Sequence, residues 1–226
     1  MLFAFDCDGV LVDSEIIASE VDAEHLAEVG YSITADEVTQ RFAGLTSRDI
    51  GRIVAEETGR PLPENFFERT KAEIDRRLAT ELKAVPGAAE VLDMIDGPRC
   101  VCSNSSSERL RISLERTKLW DRFAPYVFSA VEVGTKESKP SPNVYLHAAR
   151  EFGVNPREVL VIEDSVFGIA AAKAAGMRVV GFTGGRHTWL AHADLLIEAG
   201  AETVIKRLVE LPKVAEAVMS WDGLVG

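Results

Sequence analysis

Hydrophobic residues follow two patterns along this chain. Five short apolar runs, bounded by polar or turn-forming residues, have the length of buried parallel strands. They are Leu2–Phe5, Cys100–Cys102, Tyr126–Phe128, Val159–Ile162 and Val179–Phe182. The spacing typical of helices occurs between the later runs, at residues 88–95, 107–117, 143–152 and 166–175. Strands that alternate with helices predict an α/β protein with a doubly wound, mainly parallel sheet.

The segment after the first apolar run breaks this alternation. Residues 14–84 contain helical patterns only, in four stretches near 14–29, 36–42, 47–58 and 64–82. Gly30 ends the first stretch, and Pro86 with Gly87 marks the return to the alternating pattern. We therefore expect a small helical domain, residues 14–84, inserted into an α/β core formed by residues 1–13 and 85–226.

Composition and charge narrow the possible functions. The chain has 226 residues, of which 46% are hydrophobic, enough for a core and an insert. Its formal net charge of -11 argues against non-specific binding of nucleic acid. No apolar run approaches the roughly 20 residues that cross a bilayer, and the first residues lack a signal-peptide pattern. We expect a cytoplasmic protein with no nucleic-acid or membrane partner, and with Cys7, Cys100 and Cys102 as buried, reduced thiols.

Polar residues follow several of the predicted strands. Ligands of an open α/β sheet bind beyond the carboxyl ends of the strands, so these residues are expected to share one crevice. The residues expected to meet there are Asp6, Asp8, Ser103, Lys139 and Asp164. Their neighbours in the chain at the same strand ends are Asn104, Ser105, Glu163 and Ser165.

This combination of side chains favours metal-assisted phosphoryl chemistry. Carboxylates brought together repel one another by several kcal/mol unless a cation neutralises them. A site made only of oxygen ligands suits Mg²⁺. A lysine, a serine hydroxyl and backbone N–H groups bind anions such as phosphate. One carboxylate can then act as nucleophile and form an aspartyl-phosphate. Another, two residues later, can act as general acid and then as general base.

Four segments carry a family resemblance. FDCDGVLVDSE, VCSNSS, ESKPSP and VIEDSVFGIAAAKAAG occur in that order. They resemble the signature motifs of the haloacid dehalogenase-like superfamily of phosphohydrolases, and the resemblance covers essentially the whole chain. It implies a Rossmann-like core with residues 14–84 as a helical cap domain. Within the superfamily the chain is similar to the sugar phosphatases, in the branch of the 6-phosphogluconate phosphatases and β-phosphoglucomutases.

The resemblance implies roles for the acidic residues and for the lysine. Asp6 matches the nucleophile and an Mg²⁺ ligand. Asp8 matches the general acid/base, and its backbone carbonyl matches a second ligand. Asp164 matches the third protein ligand of the metal, and Glu163 would assist, often through a metal-bound water. Lys139 matches the residue that balances the charges of the nucleophile and the bound phosphoryl group.

The resemblance also implies the contacts with substrate. Ser103 and Asn104 match phosphate-binding residues, together with the lysine. In the cap, the segment containing Gly44, Thr46 and Arg48 matches the specificity loop, and Arg48 is the candidate for contact with an anionic group.

Two alternatives to plain hydrolysis remain open. Mutases of this branch carry a histidine where Ala18 stands and a lysine where Ala43 stands, so both alanines favour hydrolysis over a mutase. A signalling phospho-acceptor module also has an acidic Mg²⁺ pocket, but it needs neither the insert nor Asp8. Asp8 further argues against carbon–halogen cleavage, because the dehalogenases lack this second aspartate. The expected function is a monomeric, Mg²⁺-dependent phosphatase acting on a small phosphorylated metabolite, a sugar or sugar acid.

Overall fold

The computed structural model describes residues 1–42, 45 and 47–220, with only the backbone of Met219. Over these residues the strands are β1 Leu2–Phe5, β2 Arg99–Ser103, β3 Val127–Ser129, β4 Val159–Glu163, β5 Arg178–Phe182 and β6 Thr203–Ile205. The helices of the insert are α1 Ser14–Glu28, α2 Ala35–Phe42, α3 Ser47–Thr58 and α4 Phe66–Glu81. The helices that follow are α5 Ala88–Met94, α6 Ser107–Arg116, α7 Asn143–Phe152, α8 Val166–Ala174, α9 His192–Glu198 and α10 Leu211–Ser220.

The strands form one parallel sheet in the order β3-β2-β1-β4-β5-β6. In its centre, Ala4 of β1 lies opposite Cys100 of β2 on one side and Val161 of β4 on the other. The strand order reverses direction between β1 and β4, which is the topological switch point where such sheets bind ligands. The predicted fold class, a doubly wound parallel sheet with a helical insert, is confirmed.

The chain divides into two compact units. The core unit consists of Met1–Asp13 together with the chain from Lys83 onward, and the helical unit is Ser14–Leu82. At the junction, Val12 forms an isolated bridge with Ala84, and the Asp13 N–H donates to the Lys83 carbonyl at 3.0 Å. These contacts hold the two core segments side by side where the insert leaves and returns.

The hydrophobic cluster of the core unit positions the sheet edge. It combines β-strand residues with α7 and α8, including the fully buried Tyr145, Ala171 and Ala172. The small side chains of α8 allow that helix to approach the sheet closely. Its N-terminal end, directly after β4, is therefore fixed next to the switch point.

The helical unit has a separate hydrophobic cluster. It is built from Leu26, Tyr31, Ile33, Val38, Phe42, Val54 and Phe66. Within it the rings of Tyr31 and Phe42 stack at 6.5 Å between centroids. The apolar faces of α1 to α4 are therefore buried within the unit itself.

The sequence pattern missed β6, α9 and α10. Two of the three residues of β6, Thr203 and Val204, are only half-buried, so no continuous apolar run marks this edge strand.

Cys7, Cys100 and Cys102 are free and buried, as expected. Among the described residues, no helix combines the length and apolar composition that a bilayer-spanning segment requires.

Candidate active site

The turn after β1 places the first aspartate at the switch point. The Asp6 N–H donates to the Ile162 carbonyl at 3.0 Å, which extends the pairing of β1 with β4 by one residue. The chain then turns through Gly9, whose φ of +75° is unfavourable for other residues. A Cβ atom at Gly9 would lie 1.9 Å from Asp164 Oδ2. Glycine is therefore required both by the turn and by the close approach of the segment after β4.

Lys139 connects three strand ends. Its Nζ donates to Asp6 Oδ1 at 2.9 Å, to Glu163 Oε1 at 2.6 Å and to the Cys102 carbonyl at 2.8 Å. Its backbone N–H donates to Asn104 Oδ1 at 2.8 Å. The lysine side chain is only 3% exposed, so the ammonium group is an internal part of the site.

For Lys139 and Asp6, burial and the neighbouring charges shift the pKa in opposite directions. Burial by itself would lower the pKa of Lys139, but the carboxylates of Asp6 and Glu163 outweigh it, and the pKa is raised well above its usual range. Burial raises the pKa of Asp6 well above its usual range, with Lys139 acting in the opposite direction. Added positive charge beside Asp6 would favour its ionised form.

Glu163 has four protein donors around its carboxylate. Oε1 accepts from Lys139 Nζ and from the Tyr145 hydroxyl at 3.0 Å. Oε2 accepts from the backbone N–H and the hydroxyl of Ser165, at 3.0 and 2.9 Å. Glu163 is completely buried, and a Cβ at Gly168 would lie 1.7 Å from its Oε1. Both oxygens are therefore occupied by the protein.

Three carboxylates meet around this lysine. Asp6, Glu163 and Asp164 offer oxygen atoms that all lie within 4.8 Å of one another. Burial also raises the pKa of Asp164, although its hydrogen bond and charge interaction with His187 act in the opposite direction. One ammonium group does not balance three acids in a buried site, whereas a divalent cation would. The donor set, carboxylate oxygens only, fits Mg²⁺.

The end of β2 supports the second aspartate of the first motif. Asp8 Oδ2 accepts from the Ser105 hydroxyl at 2.8 Å and from the Ser103 hydroxyl at 3.3 Å. The Ser105 N–H in turn donates to Ser103 Oγ at 3.0 Å. Asn104 is exposed at this edge, and its side-chain oxygen is the acceptor for the backbone of Lys139. The two serines thus orient the Asp8 carboxylate toward the strand ends.

The contacts bring most of the predicted site residues together. The residues joined by direct contacts or within the carboxylate cluster are Asp6, Asp8, Ser103, Asn104, Lys139, Glu163 and Asp164. Gly44 and Thr46 lie outside the described residues. Arg48 is exposed, in the first turn of α3 in the helical unit.

Sequence reasoning missed two residues and one contact at the site. Tyr145 reads as an ordinary core position of a helix, yet its hydroxyl reaches Glu163. Ser105 belongs to the quoted motif, where its contact with Asp8 was not foreseen. His187 lies 2.9 Å from Asp164 between Nε2 and Oδ2, and no spacing in the sequence marks it.

A doubly wound parallel sheet with acidic groups and a buried lysine at its switch point is typical of Rossmann-like enzymes that act on phosphoryl groups. The sequence model of the haloacid dehalogenase-like hydrolase family matches residues 3–182, and the chain belongs to this family. The chain is 32% identical over 220 residues to 6-phosphogluconate phosphatase of Escherichia coli (strain K12), covering 96% of this chain and 95% of the relative. It is also 32% identical over 204 residues to a phosphorylated carbohydrates phosphatase of Thermotoga maritima, covering 89% and 92%.

Solved structures show the same architecture. A conserved haloacid dehalogenase-like protein of unknown function from Agrobacterium tumefaciens is 48% identical, with a TM-score of 0.92, covering 96% of this chain and 97% of that one. A family hydrolase from Deinococcus radiodurans, solved with bound phosphate and sodium, is 31% identical, with a TM-score of 0.84 and 96% of both chains covered. The predicted family and the predicted enzyme class, a phosphatase, are confirmed.

Proposed function

We propose that this protein is an Mg²⁺-dependent phosphatase that hydrolyses a small sugar phosphate or sugar-acid phosphate through an aspartyl-phosphate at Asp6. The observation that carries the proposal is the buried bridge from Lys139 Nζ to Asp6 and Glu163, within the carboxylate cluster that includes Asp164. The 6-phosphogluconate and phosphorylated-carbohydrate phosphatases among the relatives support the substrate class.

The metal would be held by a subset of the acids. Asp6 and Asp164, with the backbone carbonyl of Asp8, are the proposed ligands. Glu163, predicted as a ligand directly or through water, already accepts four protein hydrogen bonds on its two oxygens. We therefore propose that it contacts the metal through water and also holds Lys139 in place. When bound, Mg²⁺ supplies positive charge that stabilises the phosphoryl oxygens in the transition state.

The two aspartates of the first motif would divide the chemistry. A carboxylate oxygen of Asp6 attacks phosphorus, and its new P–O bond forms as the bond to the substrate oxygen breaks. Protonated Asp8 gives its proton to the departing alkoxide. The Asp8 carboxylate then takes a proton from water, which attacks the same phosphorus and releases inorganic phosphate from Asp6. Ser103 and Ser105 hold Asp8 in position through both steps.

Substitution of the nucleophile is the decisive test. Asp6→Asn should lower phosphate release by about 10³-fold or more, since an amide is a poor nucleophile. The measurement is inorganic phosphate released from a panel of phosphorylated metabolites, with Mg²⁺ and with EDTA, and with circular dichroism to verify folding. Asp96→Asn, an exposed aspartate of the same unit, is the matched control. Asp6→Asn activity within tenfold of the parent would show that the nucleophile is wrong.

The same panel separates the alternatives. Many phosphates released per chain distinguish a phosphatase from a phospho-acceptor, which turns over about once. Isomerised sugar phosphate as the main product would indicate a mutase.

We further propose that residues 14–84 form a specificity cap, that Gly44, Thr46 and Arg48 contact the substrate, and that the protein is a monomer. Arg48→Ala should raise the KM for substrates with a second anionic group and leave the others unchanged. An equal effect on all substrates would argue against this role for Arg48. Light scattering measures the oligomeric state.

A further inference from the structure

His187 lies directly against an acid of the carboxylate cluster. Its Nε2 is 2.9 Å from Asp164 Oδ2, and the two side chains are 7% and 6% exposed. His187 belongs to the connection between β5 and α9, which lies outside the four motifs that carry the family resemblance. A buried histidine that close to a carboxylate constrains the orientation of that carboxylate.

Two glycines provide the space for the histidine ring. A Cβ atom at Gly9 would lie 2.8 Å from His187 Cε1, and one at Gly185 would lie 2.7 Å from Cε1 and from Nδ1. A Cβ at Gly185 would also be 2.9 Å from the Gly9 carbonyl oxygen. The 184–187 segment therefore packs tightly on the turn after β1, and the ring of His187 fills the space between them.

Two further aromatic rings, those of His192 and Trp189, pack in series on the ring of His187. The rings of His187 and His192 meet edge to face, with 5.9 Å between centroids. His192 in turn stacks in parallel on Trp189 at 4.2 Å. The ring of His187 is thus held between the Asp164 carboxylate on one side and the ring of His192 on the other.

We propose that His187 is a positioning residue for the metal site: its Nε2–H donates to Asp164 Oδ2 and fixes the carboxylate with its second oxygen available to the cation. The inference rests on the proposed function, because it presumes that Asp164 is a ligand. Metal-binding carboxylates are commonly oriented by an outer hydrogen bond, and loss of such a partner typically weakens metal binding about 10- to 100-fold.

The test measures Mg²⁺ affinity directly, by isothermal titration calorimetry without substrate. His187→Leu keeps the bulk but removes the donor, and should weaken Mg²⁺ binding by about 10- to 100-fold. His187→Gln places an amide N–H close to the position of Nε2 and should recover most of the affinity. The matched control is His147→Leu, because His147 packs on the ring of Phe128 in the same unit and should leave Mg²⁺ affinity unchanged.

Kinetics supply a second readout. Saturating Mg²⁺ should restore the kcat of His187→Leu, because the residue acts through the ligand and not on the substrate. If His187→Leu does not fold, His187→Asn replaces it, since its shorter amide cannot reach Asp164 as glutamine does.

Equal Mg²⁺ affinity in the parent and in the variant that lacks the donor would overturn the inference and leave the proposed function intact. A parent protein that releases phosphate but binds no Mg²⁺ would overturn both the metal dependence and this role of His187.

Discussion

Charged side chains serve different purposes in the core unit and in the helical unit. Around Lys139 of the core, the paired side chains of Asp6 and Glu163 are 11% and 0% exposed. In the helical unit, ion pairs such as Arg41–Glu57 and Arg52–Glu56 are 45% to 62% exposed. Exposed pairs contribute little to stability, whereas buried charges are costly unless every partner is present.

This difference predicts how well each unit tolerates substitution of its charged residues. The helical unit has its own apolar cluster, and the ion pairs Arg41–Glu57 and Arg52–Glu56 lie in contact with solvent. Substitutions at such exposed positions should therefore disturb the folded state little. In the core, each charge depends on its neighbours, so we expect the network around Lys139 to tolerate almost no change.

The largest effect should follow from removing the central cation. Lys139→Met leaves Asp6 and Glu163 buried without their counter-charge, and should destabilise the metal-free protein by about 3–5 kcal/mol and abolish activity. Urea unfolding with EDTA present measures the stability. The control is Lys206→Met, at an exposed lysine of the same unit, with an expected change within about 0.5 kcal/mol. Equal effects of the two substitutions would remove the contrast between buried and exposed charge.

An intermediate effect is expected at Asp22, a half-buried acid of α1. Burial raises the pKa of Asp22 to about 6. The folded state thus disfavours the ionised form, and the stability that this carboxyl contributes below pH 4 is lost as the pH rises through 6. Asp22→Asn should therefore stabilise the protein at pH 7 by about 1–2 kcal/mol, with the gain vanishing near pH 4.

Thermal and urea unfolding of both proteins at the two pH values checks this prediction. A gain that is the same at pH 4 and pH 7 would show that ionisation of Asp22 is not its cause.

The smallest effect is expected at an exposed pair of α3. Arg52 and Glu56 lie one helical turn apart, with 2.9 Å between the charged atoms. A double-mutant cycle with Arg52→Ala and Glu56→Ala should give a coupling of about 0.3–0.5 kcal/mol that decreases with salt. A coupling above about 1 kcal/mol would mean that charges in the helical unit are less hydrated than their exposure indicates.

The sequence predicted the parts of the fold that rest on continuous burial. All five apolar runs became strands, because both faces of the parallel sheet are covered and every position in such a strand can be hydrophobic. The edge strand β6 was missed for the opposite reason, since Thr203 and Val204 remain partly in solvent.

The same contrast applies to the site. Residues that directly follow strands, such as Asp6 and Asp164, could be grouped from topology alone. Tyr145 and His187 could not, because a helix position and a loop position approach the site only through tertiary packing. Their contacts depend on distances that no sequence spacing encodes.

The attachment of Lys139 at both ends has a consequence for the proposed reaction. Its backbone N–H is bound to Asn104 and its ammonium group to the Cys102 carbonyl, in addition to the two acids. A free lysine side chain carries about 2 kcal/mol of rotamer entropy. Here that freedom is lost once, when the protein folds, so in the proposed reaction the lysine needs no further ordering when a phosphate ester binds.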